Sequence, residues 1–239
     1  MRGTAIVLQA RMGSTRLPGK SMRTLGGRTL LTHAVMRMQA SGYPVVLATT
    51  TKAEDDCLVA AAESLGAYVF RGAEADVLDR YAQAARFFEL HRVVRATADN
   101  PAMDIDAVGR TLMLLDRTGA DHVVEHGMPL GAAVEAMRGD ALLRAAELAT
   151  DPYDREHVTP IVRRPGGPFF ALAALAPGAL RRPSLRLTVD TEDDLVFMQK
   201  LFDQVGPAPY PAPLVSFIDV ADRLSTISHG GTTTRRGMR

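Results

Sequence analysis

Apolar residues follow two alternating patterns along this chain. The first is short runs, such as Thr-Ala-Ile-Val-Leu at residues 4–8, that are β-branched enough to predict buried strands. Further runs of this kind occupy residues 45–48, 68–70, 92–97, 121–124, 132–137, 169–175 and 185–189. The second is apolar residues spaced three and four apart, which predict helices at residues 30–38, 53–65, 77–90 and 104–115 and again after residue 190. This alternation predicts an α/β fold with a mostly parallel, doubly wound sheet.

The same pattern predicts one main domain over residues 1–205 and a C-terminal extension over residues 206–239. With 239 residues, of which 46% are hydrophobic, the chain can bury one sizeable core. Alternating prolines predict a stiff spacer at residues 206–213, and an amphipathic segment follows at 214–224. The last dozen residues are rich in Gly, Thr and Arg, which is typical of a disordered tail.

Composition excludes several classes of partner. The net charge of +1 argues against binding to nucleic acid or an anionic membrane, and the 5% aromatic content without Trp disfavours a base-stacking platform. No segment approaches the ~18 apolar residues of a membrane span, and Gln9 and Arg11 interrupt the first apolar run before a signal peptide is complete. The single cysteine, Cys57, excludes an internal disulfide and suits a reducing compartment. We therefore expect a cytoplasmic protein.

The most informative stretch is residues 9–20, Gln-Ala-Arg-Met-Gly-Ser-Thr-Arg-Leu-Pro-Gly-Lys, which directly follows the first predicted strand. Ligands of open α/β sheets bind at the carboxyl ends of strands, so this loop lies where a ligand is expected. Arg11, Arg16 and Lys20 bring three cations to one short turn. They repel one another unless an anion neutralises them. The loop therefore predicts a clamp for a polyphosphate.

Two other interpretations of this loop stay open. Gly19-Lys20 resembles the end of a Walker A motif, but five residues separate Gly13 from Gly19, where that motif has four. Pro18 also removes a backbone N–H just where a Walker loop uses its amides. The other alternative is a basic surface loop with no ligand.

Two aspartates are candidate Mg²⁺ ligands. Asp99 follows the strand at residues 92–97, and Pro101 holds the preceding Asn100 extended, so the carboxylate lies on a stiff turn at the sheet edge. An Asx turn or a helix cap is the alternative for Asp99. Asp190 ends the run at residues 185–189 and, unlike Asp194, it is not explained by capping of the helix that follows.

Four stretches resemble one family, at residues 9–20, 71–81, 155–160 and 188–195. Residues 9–20 look like the opening signature of the cytidylyltransferases that include spore-coat polysaccharide enzymes, CMP-KDO synthetases and CMP-sialate synthetases. Arg-Glu-His-Val-Thr-Pro at residues 155–160 and Thr-Val-Asp-Thr-x-x-Asp-Leu at residues 188–195 are also similar to that family, the latter to its second metal-binding signature. The resemblance implies a three-layer, Rossmann-like (GT-A-like) nucleotidyltransferase sheet with a small β arm at about residues 127–175. It also implies Mg²⁺-dependent transfer of CMP from CTP to a sugar, an acidic sugar or a phosphorylated or phosphonate small molecule, and a homodimer built through the arm.

The resemblance assigns a role to each matching residue. Arg16 and Lys20 would stabilise charge on the phosphates, and Asp99 and Asp190 would hold Mg²⁺. Residues expected to bind the nucleotide are Ala10, Arg11, Met12, Gly13 and Ser14 of the loop and, beside the base or ribose, Arg71, Asp76 and Arg80. Residues expected to bind the acceptor are Glu135, Arg155 and His157.

Several of these assignments have plain structural alternatives. Asp76 is a good helix N-cap by its position alone. Arg155 and His157 would equally suit a helix surface or a contact between subunits. Ala133 stands where many relatives have an aspartate, which favours a non-catalytic nucleotide-binding domain, although the pair Asp99 and Asp190 argues against that. Another nucleotide, such as GTP, is the remaining alternative.

Overall fold

Strands and helices alternate over residues 30–126, as the apolar pattern predicts, whereas residues 139–163 form three successive helices that it did not predict. The computed structural model describes residues 3–207 and 210–230, with side chains up to residue 225. The strands are β1 (Gly3–Gln9), β2 (Thr24–Leu25), β3 (Arg28–Thr29), β4 (Val45–Thr50), β5 (Tyr68–Gly72), β6 (Leu90–Thr97), β7 (His122–His126), β8 (Glu135–Arg138) and β9 (Ala171–Leu175). The helices are α1 (Leu30–Gln39), α2 (Asp56–Ser64), α3 (Val77–Phe87), α4 (Asp106–Thr118), α5 (Gly139–Leu148), α6 (Pro152–His157), α7 (Pro160–Arg163), α8 (Glu192–Val205) and α9 (Leu214–Gly230).

Seven strands form the central sheet in the order β5-β4-β1-β6-β8-β7-β9. Only β8 runs against its two neighbours, and every other pair in the sheet is parallel. The segment expected to form a β arm therefore contributes β8 to the interior of this sheet and β9 to its edge, while β2 and β3 make a separate two-stranded hairpin. Because β4, β1 and β6 run in the same direction, the loops that follow them meet at one edge.

Helices cover both faces of the sheet, which confirms the predicted three-layer architecture. Side chains of β1 alternate between the faces, so that Ile6 and Leu8 enter one apolar cluster and Ala5 and Val7 enter the other. The first cluster is completed by α1, α2 and α4, and the second by α3, α5 and α7. A third cluster joins α8 and α9 to Leu17 of the residue 9–20 loop.

The amphipathic segment predicted after the prolines lies in α9. It packs with α8 in the third apolar cluster, and the segment before it is held by Arg37 of α1. The buried guanidinium of Arg37 donates to the carbonyl oxygens of Met103 (2.7 and 2.9 Å) and Ala212 (2.7 Å). Residues 231–239, most of the predicted disordered tail, lie outside the described residues.

Two predicted elements differ from the structure. Residues 185–189 do not form a strand of the sheet, since their only pairing is one isolated bridge between Arg186 and Leu130. They run beside the loops at the sheet edge instead, where the Val189 N–H donates to the Asp99 carbonyl oxygen at 2.8 Å. The helix predicted to reach residue 90 ends at Phe87, because Glu89 takes a positive φ of 52° and the chain turns into β6.

A pair of glycines tests the close contact between β6 and α5. Gly139 is buried at the first position of α5, and a Cβ at this position would overlap the carbonyl oxygen of Leu90. We expect Gly139→Ala to lower the free energy of unfolding by about 1–3 kcal/mol, because a strand carbonyl has no room to move aside. Gly109 in α4 is exposed with nothing within 4 Å of its Cβ position, so Gly109→Ala should raise that free energy by about 0.5–1 kcal/mol. Urea unfolding measures the free energy of unfolding of both variants. Equal values for Gly139→Ala and Gly109→Ala would contradict the close contact between Gly139 and Leu90.

Candidate active site

A cleft with a volume of about 560 Å³ opens at the carboxyl edge of the sheet. Its walls come from the loop after β1, the end of β6, the start of α3, the turn before β8, the end of α6 and the segment before α8. Of the residues singled out from the sequence, the cleft is lined by Ala10, Arg11, Gly13, Ser14, Arg16, Lys20, Arg80, Asp99, His157 and Asp190. Residues far apart in the sequence therefore meet here, as the parallel topology predicts.

The residue 9–20 loop is held in shape by its own backbone and by one buried side chain. The N–H groups of Ser14 and Gly19 both donate to the Met12 carbonyl oxygen, at 2.8 and 3.3 Å. Gly19 has a φ of 65°, a left-handed conformation that glycine adopts without strain. Leu17 is buried in the third apolar cluster, which fixes the turn that carries Arg16 and Lys20.

The sequence analysis missed Asp55, which ties this loop to β4. Its side chain is fully buried and accepts a hydrogen bond from the Met12 N–H at 2.7 Å. Its other carboxylate oxygen accepts from the hydroxyl groups of Thr49 and Thr50 and from the Thr50 N–H. Burial raises the pKa of Asp55, but these hydrogen bonds outweigh burial and lower it below its ordinary value. In the sequence, Asp55 is an acidic residue in a predicted helix. Acidic residues are common on exposed helix surfaces, so the sequence did not distinguish Asp55 from them.

We expect Asp55→Asn to weaken nucleotide binding and to destabilise the fold. An amide keeps one acceptor oxygen but turns an NH₂ group towards donors, so buried N–H or O–H groups lose their partner at about 1–3 kcal/mol. Calorimetric titration with CTP and urea unfolding measure the two effects. Asp106→Asn, at the exposed first position of α4, is the control.

The stability difference between wild type and Asp55→Asn should depend on pH. Because the folded-state pKa of Asp55 is lowered, its contribution is present above the pKa of the unfolded state and is lost as pH falls through the folded value. The difference in unfolding free energy should therefore shrink in acid. A difference that stays constant from neutral pH down to strongly acidic pH would contradict the buried-carboxylate account.

Asp99 and Asp190 converge on a single ammonium group. Lys20 Nζ lies 2.8 Å from Asp99 Oδ2 and 3.1 Å from Asp190 Oδ1. Asp190 also accepts ion pairs from Arg16 at 3.1 Å and from Arg186 at 2.6 Å. Burial raises the pKa of Asp190, but Lys20, Arg16 and Arg186 more than offset this and lower it below its ordinary value. Both carboxylates thus face a cation at the mouth of the cleft.

Helix capping fixes the position of Asp190. Thr191 and Asp194 form a capping box at the start of α8, and the Asp194 carboxylate also accepts from the Asp190 N–H at 2.9 Å. Asp194 also pairs with Arg186, which ties the segment before α8 to the first turn of that helix. Capping thus explains Asp194, while the Asp190 side chain is left to face Lys20.

Two residues expected beside the base have their side chains in other contacts and do not line the cleft. Arg71 donates to the carbonyl oxygens of Thr50 and Lys52 and pairs with Asp56 at 2.6 Å. Asp76 caps α3, accepting from the Asp79 N–H at 2.9 Å, as its helix-cap alternative predicts.

Of the three residues expected to contact the acceptor, one lines the cleft and two do not. Arg155 pairs with Asp76 at 2.7 Å and donates to two carbonyl oxygens of the α5 end, so it joins α6 to α3 and α5. Glu135 lies within the sheet and contacts His122 and Arg95. Only His157 lines the cleft, together with its exposed neighbour Glu156.

Arg80 is buried and lines the cleft, donating to the Ala73 carbonyl oxygen. Other lining residues, which the sequence analysis left unassigned, include Arg95, Thr97, Asn100, Gly131 and Thr188. Gly131 has a φ of 91°, and a Cβ there would lie 2.9 Å from both Asn100 Oδ1 and the Thr188 backbone. Glycine at this position therefore lets the two walls of the cleft approach each other.

Within the part of the chain that the structure describes, no helix is long and apolar enough to cross a membrane. No three His, Cys, Asp or Glu side chains of the described residues come together as a metal cluster either. A metal ion at this site would therefore need oxygen ligands from a substrate in addition to the carboxylates.

Comparison with known proteins covers almost the whole chain. The model of the cytidylyltransferase family matches residues 5–205. An uncharacterized protein of Methanocaldococcus jannaschii is 34% identical over 235 residues, covering 96% of this chain and 95% of that protein. The spore coat polysaccharide biosynthesis protein SpsF of Bacillus subtilis is 33% identical over 216 residues, covering 87% of this chain and 90% of that protein.

A solved structure extends the likeness to almost the whole fold. A cytidylyltransferase from Leptospira borgpetersenii superposes with a TM-score of 0.87 at 28% identity, covering 98% of this chain and 100% of that one. The family resemblance expected from the four sequence stretches is thereby confirmed, and with it the expected fold class. The chain belongs to the cytidylyltransferase family and is a nucleotidyltransferase.

Proposed function

We propose that the protein transfers CMP from CTP to a sugar-type small molecule and releases pyrophosphate, with Mg²⁺ as its cofactor. The observation that carries this proposal is the convergence of Asp99 and Asp190 on Lys20 at the mouth of the cleft, beside the cationic loop. A sugar-type acceptor is supported by SpsF, a relative named for spore coat polysaccharide biosynthesis.

The loop supplies the contacts that a nucleoside triphosphate needs. Ala10, Arg11, Gly13 and Ser14 line the cleft, so their backbone and side chains would face the nucleotide. In the reaction, an acceptor oxygen attacks the α-phosphorus while pyrophosphate leaves in line. Lys20 and the more exposed Arg16 would stabilise the charge that develops on the α-phosphate and the leaving group.

Asp99 and Asp190 fit a Mg²⁺ ion. Mg²⁺ is commonly held by one or two carboxylates together with phosphate oxygens and waters, and two carboxylates here already converge on a cation. When bound, the metal would neutralise phosphate charge and orient the triphosphate. Arg186 and the Asp194 capping box would keep Asp190 turned towards this position.

The remaining assignments follow the walls of the cleft. Arg80 would lie near the base or ribose, and His157 would face the acceptor. Arg71, Asp76, Arg155 and Glu135 would act by shaping these walls rather than by contact. A cytoplasmic homodimer stays a prediction, and light scattering that gives a monomer mass at micromolar concentration would remove the dimer.

The test is pyrophosphate release with CTP and Mg²⁺ against acidic sugars, neutral sugars, sugar phosphates and small phosphonates. Release that requires one acceptor and the metal would establish the reaction and name the substrate. Parallel titrations with CTP, UTP, GTP and ATP report the base preference. Tighter binding of GTP than of CTP, or tight CTP binding with no release from any acceptor, would count against the proposal.

A further inference from the structure

The side of the cleft formed by the end of β6, called its floor below, contains a partly buried cation with unused donors. Arg95 lies on β6, two residues before Thr97, and both side chains line the cleft. The Arg95 side chain is 19% exposed. Its Nη1 donates to Glu135 Oε1 at 3.0 Å, and its Nη2 reaches Gln9 Oε1 only at 3.5 Å. Its Nε is buried with no hydrogen-bond partner in the described structure.

Glu135 and His122 set the position of this guanidinium. Arg95 and Glu135 face each other in register on neighbouring strands β6 and β8. The other oxygen of Glu135 lies 2.7 Å from Nε2 of His122, a fully buried residue on β7. A chain of polar contacts thus crosses three adjacent strands and ends in the cleft at Arg95. Burial raises the pKa of Glu135, but His122 and Arg95 lower it to about 2, so the carboxylate is charged at neutral pH.

Two guanidinium groups that line the cleft keep donors without a partner in the described structure. Glu135 contacts His122 with one carboxylate oxygen and Nη1 of Arg95 with the other. The Nη2 and Nε atoms of Arg95 therefore have no carboxylate partner. Arg80, a buried guanidinium that also lines the cleft, makes no ion pair within 4.0 Å among the described residues, and its Nε has no hydrogen-bond partner. A buried cation without a carboxylate partner, such as Arg80, is costly, and the free donors of a guanidinium suit phosphate or carboxylate oxygens.

We propose that Arg95 binds an oxyanion of a substrate on the floor of the cleft, and that Glu135 and His122 are positioning residues that act through it. This inference rests on the proposed function for the identity of the substrates. The oxyanion is a phosphate or a carboxylate, carried either by the nucleotide or by the acceptor. It is separate from the phosphate charge proposed to lie beside Lys20 and Arg16, the two cations that pair with Asp190.

The competing explanation is that Arg95 only ties β6 to β8. The variants Arg95→Met and Arg95→Lys test this against Arg92→Met. Arg92 lies on the same strand but outside the cleft, where it contacts Thr4 and Asp116. Thermal unfolding of all three comes first, so that binding is compared only between folded proteins.

Binding is then measured by calorimetry with CTP alone, and by the KM of the acceptor identified by pyrophosphate release. Losing a charge-assisted hydrogen bond is worth about 1.5–3 kcal/mol, so we expect Arg95→Met to weaken one of the two constants about 10- to 100-fold. A rise in the Kd of CTP assigns the oxyanion to the nucleotide, and a rise in the KM of the acceptor assigns it to the acceptor. Arg95→Lys should recover part of the loss, and Arg92→Met should change neither constant.

A spectroscopic measurement needs no turnover and so separates this inference from the proposed function. The Nε–H signal of Arg95 in a ¹H–¹⁵N spectrum is identified by its absence in Arg95→Lys. Titration with inorganic phosphate should shift this signal, and Glu135→Gln should weaken the titration while keeping the protein folded. The inference is overturned if Arg95→Met leaves the CTP Kd and the acceptor KM within twofold of wild type, or if phosphate leaves the Arg95 signal unmoved.

Discussion

Replacing Lys20 with alanine is expected to lower the rate of pyrophosphate release about 10²–10³-fold while leaving the protein folded. Lys20 is the one group that contacts both Asp99 and Asp190 in the described structure, and its side chain is only 16% exposed. Its charge is therefore less screened by water than that of the more exposed Arg16. Steady-state kinetics with CTP and the acceptor, together with circular dichroism, measure the effect.

Lys200→Ala is the matched control, because Lys200 lies exposed on α8 and does not line the cleft. This control should keep wild-type turnover. The Lys20→Ala variant leaves two carboxylates facing each other, but Arg16 and Arg186 still pair with Asp190, so the fold should persist. Near-normal turnover of a folded Lys20→Ala protein would exclude Lys20 from the catalytic role.

The Asp190→Asn variant is expected to lose turnover by a similar factor, for a complementary reason. The substitution removes the charge on which Lys20, Arg16 and Arg186 converge, and it removes one of the two carboxylates proposed to hold Mg²⁺. If the metal role is correct, the remaining activity should need a higher Mg²⁺ concentration for half-saturation. Initial rates across a Mg²⁺ titration measure both changes.

The control for this variant is Asp203→Asn, an exposed carboxylate on α8 that contacts Gln199. It should leave both the rate and the Mg²⁺ dependence unchanged. The double variant Lys20→Ala with Asp190→Asn should lose less than the product of the two single losses, because the residues are in contact. An Asp190→Asn protein with wild-type Mg²⁺ dependence would contradict the proposed metal site.

Sequence reasoning succeeded where the signal is local. The apolar runs placed most strands and helices, and the residue 9–20 loop was placed after the first strand, where the cleft lies. Asp99 and Asp190 were each predicted to follow a strand of the sheet. Asp99 does follow β6, whereas residues 185–189 form no strand, and the structure still brings both carboxylates to Lys20. Their proposed roles remain predictions.

The sequence did not predict which side chains pair across the fold. The alternation of apolar residues is a property of neighbouring positions, so the sequence by itself determined the kind of sheet, the position of the cationic loop and the edge at which Asp99 lies. Tertiary contacts, not a strand, bring Asp190 to that edge. Tertiary structure alone decided that Glu135 pairs with Arg95, 40 positions away, and that Asp55 holds Met12, 43 positions away. It also decided that β8 enters the sheet against its neighbours. These outcomes depend on which strands become adjacent, and burial then makes each polar group take whatever partner lies within reach.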